Sequence, residues 1–189
     1  MTRPDNGAAP PTAGAEDADA TGPARPGTAH GRLRRFLLAC TVAVGVALID
    51  QGTKTVALAQ LSEHDRIPLL GDWLGLQLAF NPGSVMSLGA DVTWLLTVVA
   101  VAASVALLIA AMRARTAGWA VAIGLVWGGA VGNLLDRLLA PPGFGRGHVT
   151  DFLAYGNLFI GNLADVIIGI GVGLGLLLYL RGGGTHGDR

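Results

Sequence analysis

The sequence predicts an all-α membrane protein: a bundle of four transmembrane helices with a small β-rich extracytoplasmic element between helices 1 and 2. Composition supports this fold class. Hydrophobic residues make up 51% of the 189-residue chain and charged residues only 14%, and the mean hydropathy is +0.53. Soluble domains carry about a quarter charged residues. The apolar residues are also gathered into long runs, which is typical of membrane-spanning helices.

Four apolar segments are long enough to span a bilayer. The second, "VTWLLTVVAVAASVALLIAAM", contains no charged residue. The first reaches a spanning length only when it is counted through Asp50 and Lys54 to Leu58, and the fourth contains Asn162 and Asp165. The predicted spans are about residues 36–58, 92–112, 118–138 and 157–180.

Both ends of the chain are polar. Residues 1–30 are rich in Ala, Pro, Gly, Asp and Thr and hold few large apolar side chains, which predicts a disordered tail. Residues 182–189 are predicted to be a flexible tail, so residues 31–181 form the membrane domain. A cleavable signal peptide is the alternative interpretation of the first apolar run, because arginines precede it, but no A-x-A-like site follows.

The distribution of basic residues predicts the orientation. Nine of the 13 Lys and Arg residues lie before the first span, in the 113–117 turn or after the fourth span, and the other four lie on the opposite side. Because Lys and Arg favour the cytoplasmic side, both termini are expected to be cytoplasmic. The net charge of zero gives no reason to expect a nucleic-acid partner.

The segments between the spans differ in character. Residues 60–91 alternate partly between apolar and polar in "LGLQLAF" and hold turn-forming residues at Gly71-Asp72 and Asn81-Pro82-Gly83. We therefore expect a strand-rich element there, with Trp73 and Leu74 suited to the membrane interface. Residues 140–157 are expected to form a second outer loop.

The polar residues of the spans and outer loops lie at one membrane depth. Helical spacing places Asn133 with Asp136, and Asn162 with Asp165, on common faces. Glycine pairs spaced four apart would allow close helix approach; these pairs are Gly128/Gly132, Gly169/Gly173 and Gly171/Gly175. The polar set on the outer side comprises Asp50, Lys54, Asn81, Asn133, Asp136, Arg137, Asp151, Asn162 and Asp165.

Structural roles explain part of this set. Asp50 and Lys54, four residues apart, are expected to form an orienting ion pair. Asp136 and Arg137 could anchor a helix end at the interface. Asp165 is harder to explain, because it has no basic residue within four positions and an intramembrane acid is a functional hypothesis by default.

Carboxylates are the chemistry that remains. The sequence shows no Ser, His or Cys in a nucleophile context, no Cys/His cluster for zinc and no phosphate-binding loop. Asp151 and Asp165 flank one short outer loop, and two carboxylates in one site share a proton. One can then act as a base on water and the other as an acid, which permits acyl hydrolysis without a covalent intermediate. Such a pair would face the bundle interior.

Five motifs in order resemble the bacterial lipoprotein signal peptidases (signal peptidase II), over about residues 36–181. "DQGTK" is similar to the family's D-Q-x-[ST]-K, and "NPGSVMSLG" to N-x-G-A-A-F-S. "GGAVGNLLDRL" is similar to G-G-A-x-G-N-x-x-D-R, "HVTDFL" to V-V-D-F, and "GNLADVII" to F-N-x-A-D-x-x-I. The chain departs from these patterns at Ser84, Val85 and Met86 and at Gly161.

The resemblance implies an intramembrane aspartic-type endopeptidase in the bacterial cytoplasmic (inner) membrane. Asp151 and Asp165 would be the catalytic pair, near the outer face. The implied substrates are diacylglyceryl-modified prolipoproteins, cut just before the lipidated cysteine. The enzyme would be monomeric and surrounded by membrane lipid, with no metal or cofactor. The residues matching positions that bind substrate or support the site are Asp50, Lys54, Asn81, Gly83, Asn133, Asp136, Arg137 and Asn162.

Two other functions stay open from the residues alone. A proton-coupled carrier would use Asp165 as a relay, and it predicts acids at several depths or an internal repeat; the acids here lie at one depth. A catalytically inactive scaffold would tolerate the loss of Asp151 or Asp165, and both are present.

Overall fold

A computed structural model describes residues 27–83 and 93–183. It contains four helices that are long and apolar enough to cross a membrane, so the predicted fold class is confirmed. The elements in chain order are α1 (Gly27–Gln60), β1 (Ile67–Leu70), β2 (Leu74–Asn81), α2 (Thr93–Met112), α3 (Ala117–Leu139), β3 (Val149–Tyr155), β4 (Phe159–Gly161) and α4 (Leu163–Gly183).

Helix α3 packs against each of the other three helices, most extensively against α1 and α4. Glycines make the close approach possible. A Cβ atom on Gly128 would lie 2.6 Å from the carbonyl oxygen of Ala43 in α1, and one on Gly129 would lie 2.9 Å from that of Ala164 in α4. The predicted packing role of the glycines in α3 is therefore confirmed.

The glycine pairs of α4 behave differently. Gly171 meets α3, where a Cβ atom would lie 3.0 Å from the carbonyl oxygen of Ala122. Gly169 and Gly173 would meet nothing within 4 Å, so the prediction that this pair packs against another helix was wrong. Spacing alone does not show which face of a helix meets a neighbour.

The four strands form one antiparallel sheet in the order β1-β2-β3-β4. Strand β2 pairs with β3 from Leu74 opposite Tyr155 to Asn81 opposite Val149. The sheet therefore joins the loop before α2 to the loop before α4, whereas the sequence analysis placed the β-rich element in the first loop alone. Strand β3 is buried at most positions, so its sequence lacks the alternation that reveals a half-exposed strand.

Two predicted boundaries were wrong. The fourth span was expected from residue 157, but residues 159–161 are strand β4 and the helix begins only at Leu163. The first helix begins at Gly27, four residues inside the predicted tail. The predictions for residues 1–26 and 184–189, and the departures at Ser84, Val85 and Met86, lie outside the described residues.

Candidate active site

Polar side chains converge where α1, α3 and the start of α4 meet strands β2 and β3. This end of the bundle is called the site end below. Six of the predicted site residues are at most 7% exposed; they are Asp50, Lys54, Asp136, Arg137, Asp151 and Asn162. Such groups are buried only when they are hydrogen-bonded or paired.

Asp165 lies in the first turn of α4, and reciprocal hydrogen bonds hold it there. Its N–H donates to Oδ1 of Asn162 (3.1 Å), and the N–H of Asn162 donates to Oδ2 of Asp165 (3.2 Å). This arrangement is a capping box, in which two helix-terminal N–H groups are satisfied by two side chains. An acid in the first turn is also favoured by the helix dipole. Asn162 thus caps α4. The prediction that Asn162 and Asp165 share a helical face was therefore wrong.

A third hydrogen bond ties the start of α4 to α1. The N–H of Ala164 donates to Oδ1 of Asp50 (3.2 Å). Both residues are fully buried, so this bond satisfies another helix-terminal N–H group inside the protein. Asp50 therefore helps to position the helix that carries Asp165.

Asp151 lies on β3 and is 2% exposed. Its Oδ1 accepts a hydrogen bond from Nδ2 of Asn162 (2.6 Å), and its Oδ2 accepts one from Nδ2 of Asn81 (3.0 Å). The pKa of Asp151 is raised to about 6, mainly by burial and also by the nearby Asp165 carboxylate, while the hydrogen bonds from Asn162 and Asn81 and the charge of Lys54 act to lower it. The Asn162 side chain thus bonds to Asp151 and to the backbone of Asp165.

The Asp165 carboxylate is exposed, which differs from the prediction that both aspartates face the bundle interior. Asp165 lies on the face of α4 that is exposed at Val166, Gly169 and Ile170 as well, whereas its neighbours Asn162 and Ala164 are buried. Nδ2 of Asn133 in α3 donates to Oδ1 of Asp165 (3.0 Å). The carboxylate is therefore held in place while it stays accessible.

Lys54 connects three partners behind the two aspartates. Its Nζ lies 2.8 Å from Oδ2 of Asp50 and 2.9 Å from Oδ2 of Asp136, and it donates to Oδ1 of Asn133 (2.8 Å). The predicted Asp50–Lys54 pair is present within this larger network. Because an ammonium group only donates, Lys54 also orients the Asn133 amide so that its NH₂ group points to Asp165.

Asp136 extends the network to strand β3. Its Oδ2 accepts the N–H of Thr150 (3.0 Å), the residue before Asp151, and its Oδ1 accepts Nε2 of Gln51 (3.0 Å). Gln51 also donates to the carbonyl oxygen of Gly132 (3.0 Å). Asp136 is buried and bonded to other elements, so the alternative that it anchors a helix end at the interface was wrong.

Arg137 and Asn81 hold the segment that follows β2. The guanidinium group of Arg137 donates to the carbonyl oxygens of Pro82 (3.4 Å) and Gly83. The N–H of Gly83 donates to Oδ1 of Asn81 (3.0 Å). Arg137 is therefore buried against this segment rather than placed at the interface.

The sequence analysis missed three residues that surround the pair. Gln51 was inside a quoted motif but was given no role, and Tyr155 and Phe159 were not considered. The rings of Tyr155 and Phe159 stack with centroids 4.8 Å apart. A Cβ atom on Gly161 would lie 3.7 Å from Tyr155, 3.5 Å from Phe159 and 3.1 Å from Oδ2 of Asp165. The departure at Gly161 was the one indication in the sequence that the surroundings of Asp165, next to the Tyr155 and Phe159 rings, are unusual.

The other two buried acids, Asp50 and Asp136, are paired with Lys54. Within residues 27–83 and 93–183, no group of three or more His, Cys, Asp or Glu side chains could hold a metal ion. The arrangement of the described residues is two nearby carboxylates, one buried and one accessible, oriented by asparagines. Such a pair can share one proton between its two carboxyl groups. The carboxylate that lacks the proton can then contact a water molecule.

Comparison with known proteins identifies close relatives of the chain. A family model described as "Signal peptidase (SPase) II" matches residues 42–181. A lipoprotein signal peptidase of Leifsonia xyli subsp. xyli is 42% identical over 167 residues, covering 88% of this chain and 77% of the relative. One from Rhodococcus jostii is 38% identical over 175 residues, covering 92% and 86%.

Solved structures show the same fold. A bacterial membrane enzyme structure determined at 2.3 Å by the in meso method has a TM-score of 0.69 and 24% identity, covering 80% of this chain and 92% of that chain. A second, at 1.9 Å, has a TM-score of 0.63 and 25% identity, covering 76% and 92%.

Proposed function

The chain belongs to the signal peptidase II family, the lipoprotein signal peptidases, and from that premise we propose how it acts. It is an aspartic-type peptidase that removes signal peptides from prolipoproteins. Its substrates carry a diacylglyceryl group on the cysteine that becomes the new N-terminus. Cleavage occurs at the peptide bond just before that cysteine, within the membrane, and uses Asp151 and Asp165.

One observation carries the mechanism: a buried and an accessible carboxylate are linked through the Asn162 side chain. The pKa of Asp151, raised to about 6 mainly by burial, makes it the member that holds the shared proton. Asp165 is exposed and has its carboxylate oriented by Asn133 and the Asn162 backbone. It is therefore the member that can contact an incoming water.

The reaction follows from these two states. Asp165 takes a proton from water as the oxygen of that water attacks the scissile carbonyl carbon, and Asp151 donates its proton to the carbonyl oxygen. A tetrahedral diol forms. When it collapses, the C–N bond breaks, Asp165 delivers its proton to the leaving amine nitrogen, and Asp151 recovers one from the diol. Both carboxyl groups return to their starting states, which is general acid–base catalysis without a covalent intermediate.

The remaining predicted residues form one group that lines the site and one that supports it. In the first group, Asn81, Asn133 and Asn162 orient the carboxylates, and Gly83 with Arg137 holds the segment after β2 where substrate would lie. The supporting group keeps strand β3 and helix α4 in register with each other through the Lys54 network. It consists of Asp50, Lys54 and Asp136. Pre-organised polar groups of this kind need no rearrangement at the moment of reaction.

We propose that the enzyme lies in the bacterial cytoplasmic membrane with both termini in the cytoplasm and the site near the outer face. The basic residues support this orientation, because six of the ten Lys and Arg residues in the described ranges lie at the end opposite the site. These six are Arg32, Arg34, Arg35, Arg113, Arg115 and Arg181. The chain would act as a monomer among membrane lipids, without a metal, cofactor or nucleic acid.

A processing assay tests the function. Purified protein in detergent is given a diacylglyceryl-modified prolipoprotein, and the loss of the signal peptide is followed on a gel. Asp151→Asn and Asp165→Asn keep the side-chain shape but remove the titratable group, and we expect each to slow cleavage by about a thousandfold or more. Asp65→Asn, at an exposed acid away from the network, is the matched control. Near wild-type cleavage by either catalytic variant would contradict the assignment.

A further inference from the structure

Two turns of the sheet carry the most exposed apolar side chains outside the helices and the 140–147 loop. Trp73 is 86% exposed and Leu70 68% exposed in the turn between β1 and β2, and Leu158 is 77% exposed in the turn between β3 and β4. Ile67 and Leu69 on β1 are 48% and 50% exposed. These five residues are called the apolar lip. No family motif quoted above includes any of them.

The lip is a fixed surface, because hydrogen bonds join the two turns. The N–H of Gly156 donates to the carbonyl oxygen of Trp73 (2.8 Å). The guanidinium group of Arg66 donates to the carbonyl oxygens of Gly156 (2.8 Å) and Asp72 (3.1 Å). One arginine thus holds both turns together and directs its charge inward to the backbone. The exposed side chains of the two turns are the apolar ones named above together with the polar Asp72 and Asn157.

Strand β1 forms one edge of the sheet and pairs only with β2. All four of its residues, "IPLL", are exposed. Strand β1 is short and contains Pro68, so its backbone edge is a poor template for pairing with another strand. Its side chains are nevertheless apolar, and nothing in the described part of the chain covers them. Exposed apolar patches of this kind mark membrane or protein interaction sites.

The bilayer is the apolar environment next to the sheet. A groove of about 330 Å³ lies between α1 and the sheet, and it is lined by Val56, Leu61, Leu76 and Phe152 among others. Val56 is 61% exposed, on a helix that spans the membrane. Leu76 pairs with Ile67 of the lip. An apolar surface therefore continues from the lipid-facing side of α1, through the groove, to the lip.

We infer that the apolar lip inserts into the bilayer leaflet on the side of the site, at the boundary between headgroups and acyl chains. Trp with neighbouring aliphatic residues is the composition enriched at that depth. From Asp151 to Tyr155 strand β3 extends about 13 Å, so a lip at the membrane boundary makes the sheet lie along the membrane surface. The inference depends on the membrane-spanning helices and is independent of the catalytic roles.

Fluorescence quenching of Trp73 tests the position of the lip. The full chain with Trp94→Phe, Trp119→Phe and Trp127→Phe keeps Trp73 as its only tryptophan, and it is reconstituted in phosphatidylcholine vesicles. Part of the lipid is brominated either near the ester end or near the end of the acyl chains, and iodide is the aqueous quencher. We expect shallow bromines to remove roughly half of the emission, deep bromines less, and iodide little.

Every other pattern overturns the inference. Strong quenching by iodide would place the lip in water, and protection from both quenchers would place it against protein, such as a second copy of the chain. If the triple variant does not fold, a nitroxide at Trp73→Cys in a Cys40→Ser background reports the same depth from oxygen accessibility. Glu63→Cys, at an exposed polar position before β1, is the matched control and should read as aqueous. Cleavage is not measured, so this result is separate from that of the processing assay.

Discussion

Asp151 and Asp165 present the same carboxyl group in two different surroundings. Asp151 lies on a strand, is 2% exposed and accepts hydrogen bonds from two side-chain amides. Asp165 lies in the first turn of a helix, is exposed and accepts one of its hydrogen bonds from a backbone N–H group. The secondary structure under each aspartate therefore determines its solvation. In the mechanism proposed above, this difference is what assigns opposite proton transfers to two identical groups.

After the two catalytic substitutions themselves, the largest expected effect comes from removing Lys54, the group that connects the two surroundings. Lys54→Met leaves Asp50 and Asp136 buried without their cation and releases the Asn133 amide. We expect the free energy of unfolding to fall by about 3–5 kcal/mol and cleavage to slow by more than about a hundredfold. Thermal unfolding in detergent and the processing assay measure the two effects.

Arg113→Met is the control for that change, because Arg113 is exposed at the other end of the bundle. It should leave both quantities unchanged. A Lys54→Met protein that melts and cleaves like wild type would show that the network does not connect the two aspartates.

A smaller and more specific effect is expected from Asn81→Ala, which acts on the buried aspartate, Asp151, alone. The Asn81 hydrogen bond lowers the pKa of Asp151, so its loss raises that pKa further. Because the reaction needs Asp151 protonated, kcat/KM of the wild type should decline above about pH 6, and this alkaline limb should move to higher pH in the variant. The pH profile of kcat/KM, which reports the free enzyme, measures the shift.

Asn133→Ala gives the matching comparison, since it removes a hydrogen bond from Asp165 and none from Asp151. In the Asn133→Ala variant, the alkaline limb of the kcat/KM profile should stay at the wild-type pH, although the value of kcat/KM falls. Equal shifts of the limb in both variants would mean that the buried carboxyl group does not hold the proton.

The smallest effect should come from a substitution that crowds the accessible aspartate, Asp165. In Gly161→Ala the new methyl group would lie 3.1 Å from Oδ2 of Asp165, so the carboxylate must shift by a few tenths of an ångström. We expect a loss of about fivefold in kcat/KM, because small displacements of a reacting group reduce the rate. Gly169→Ala, which meets nothing within 4 Å, should have no effect. A Gly161→Ala enzyme as fast as wild type would show that the Asp165 position is not critical.

Much of the site end was predictable because its features are local in sequence. The four apolar runs define the helices, and the spacing of Asp50 and Lys54 gives an ion pair that is present. The polar residues also meet at one end of the bundle, as their common depth predicted. Period and spacing within one helix are enough for each of these inferences.

The features that the sequence did not reveal depend on contacts between distant elements. Strand β3 shows no alternation because it is buried at most positions, so the second half of the sheet was not predicted. The late start of α4 was missed because the apolar residues of β4 continue those of the helix. The exposure of Asp165 was missed because spacing does not show which face of α4 points outward; Asp165 lies on the same exposed face as Val166, Gly169 and Ile170.

The hydrogen bond between Asp50 and the N–H of Ala164 joins residues 114 positions apart. During synthesis α1 is therefore made long before its partner, and Asp50 waits for the last helix. A chain still attached to the ribosome, with α4 unreleased, lacks the capped turn that carries Asp165. Under the mechanism proposed above, cleavage therefore requires that α4 has already been inserted.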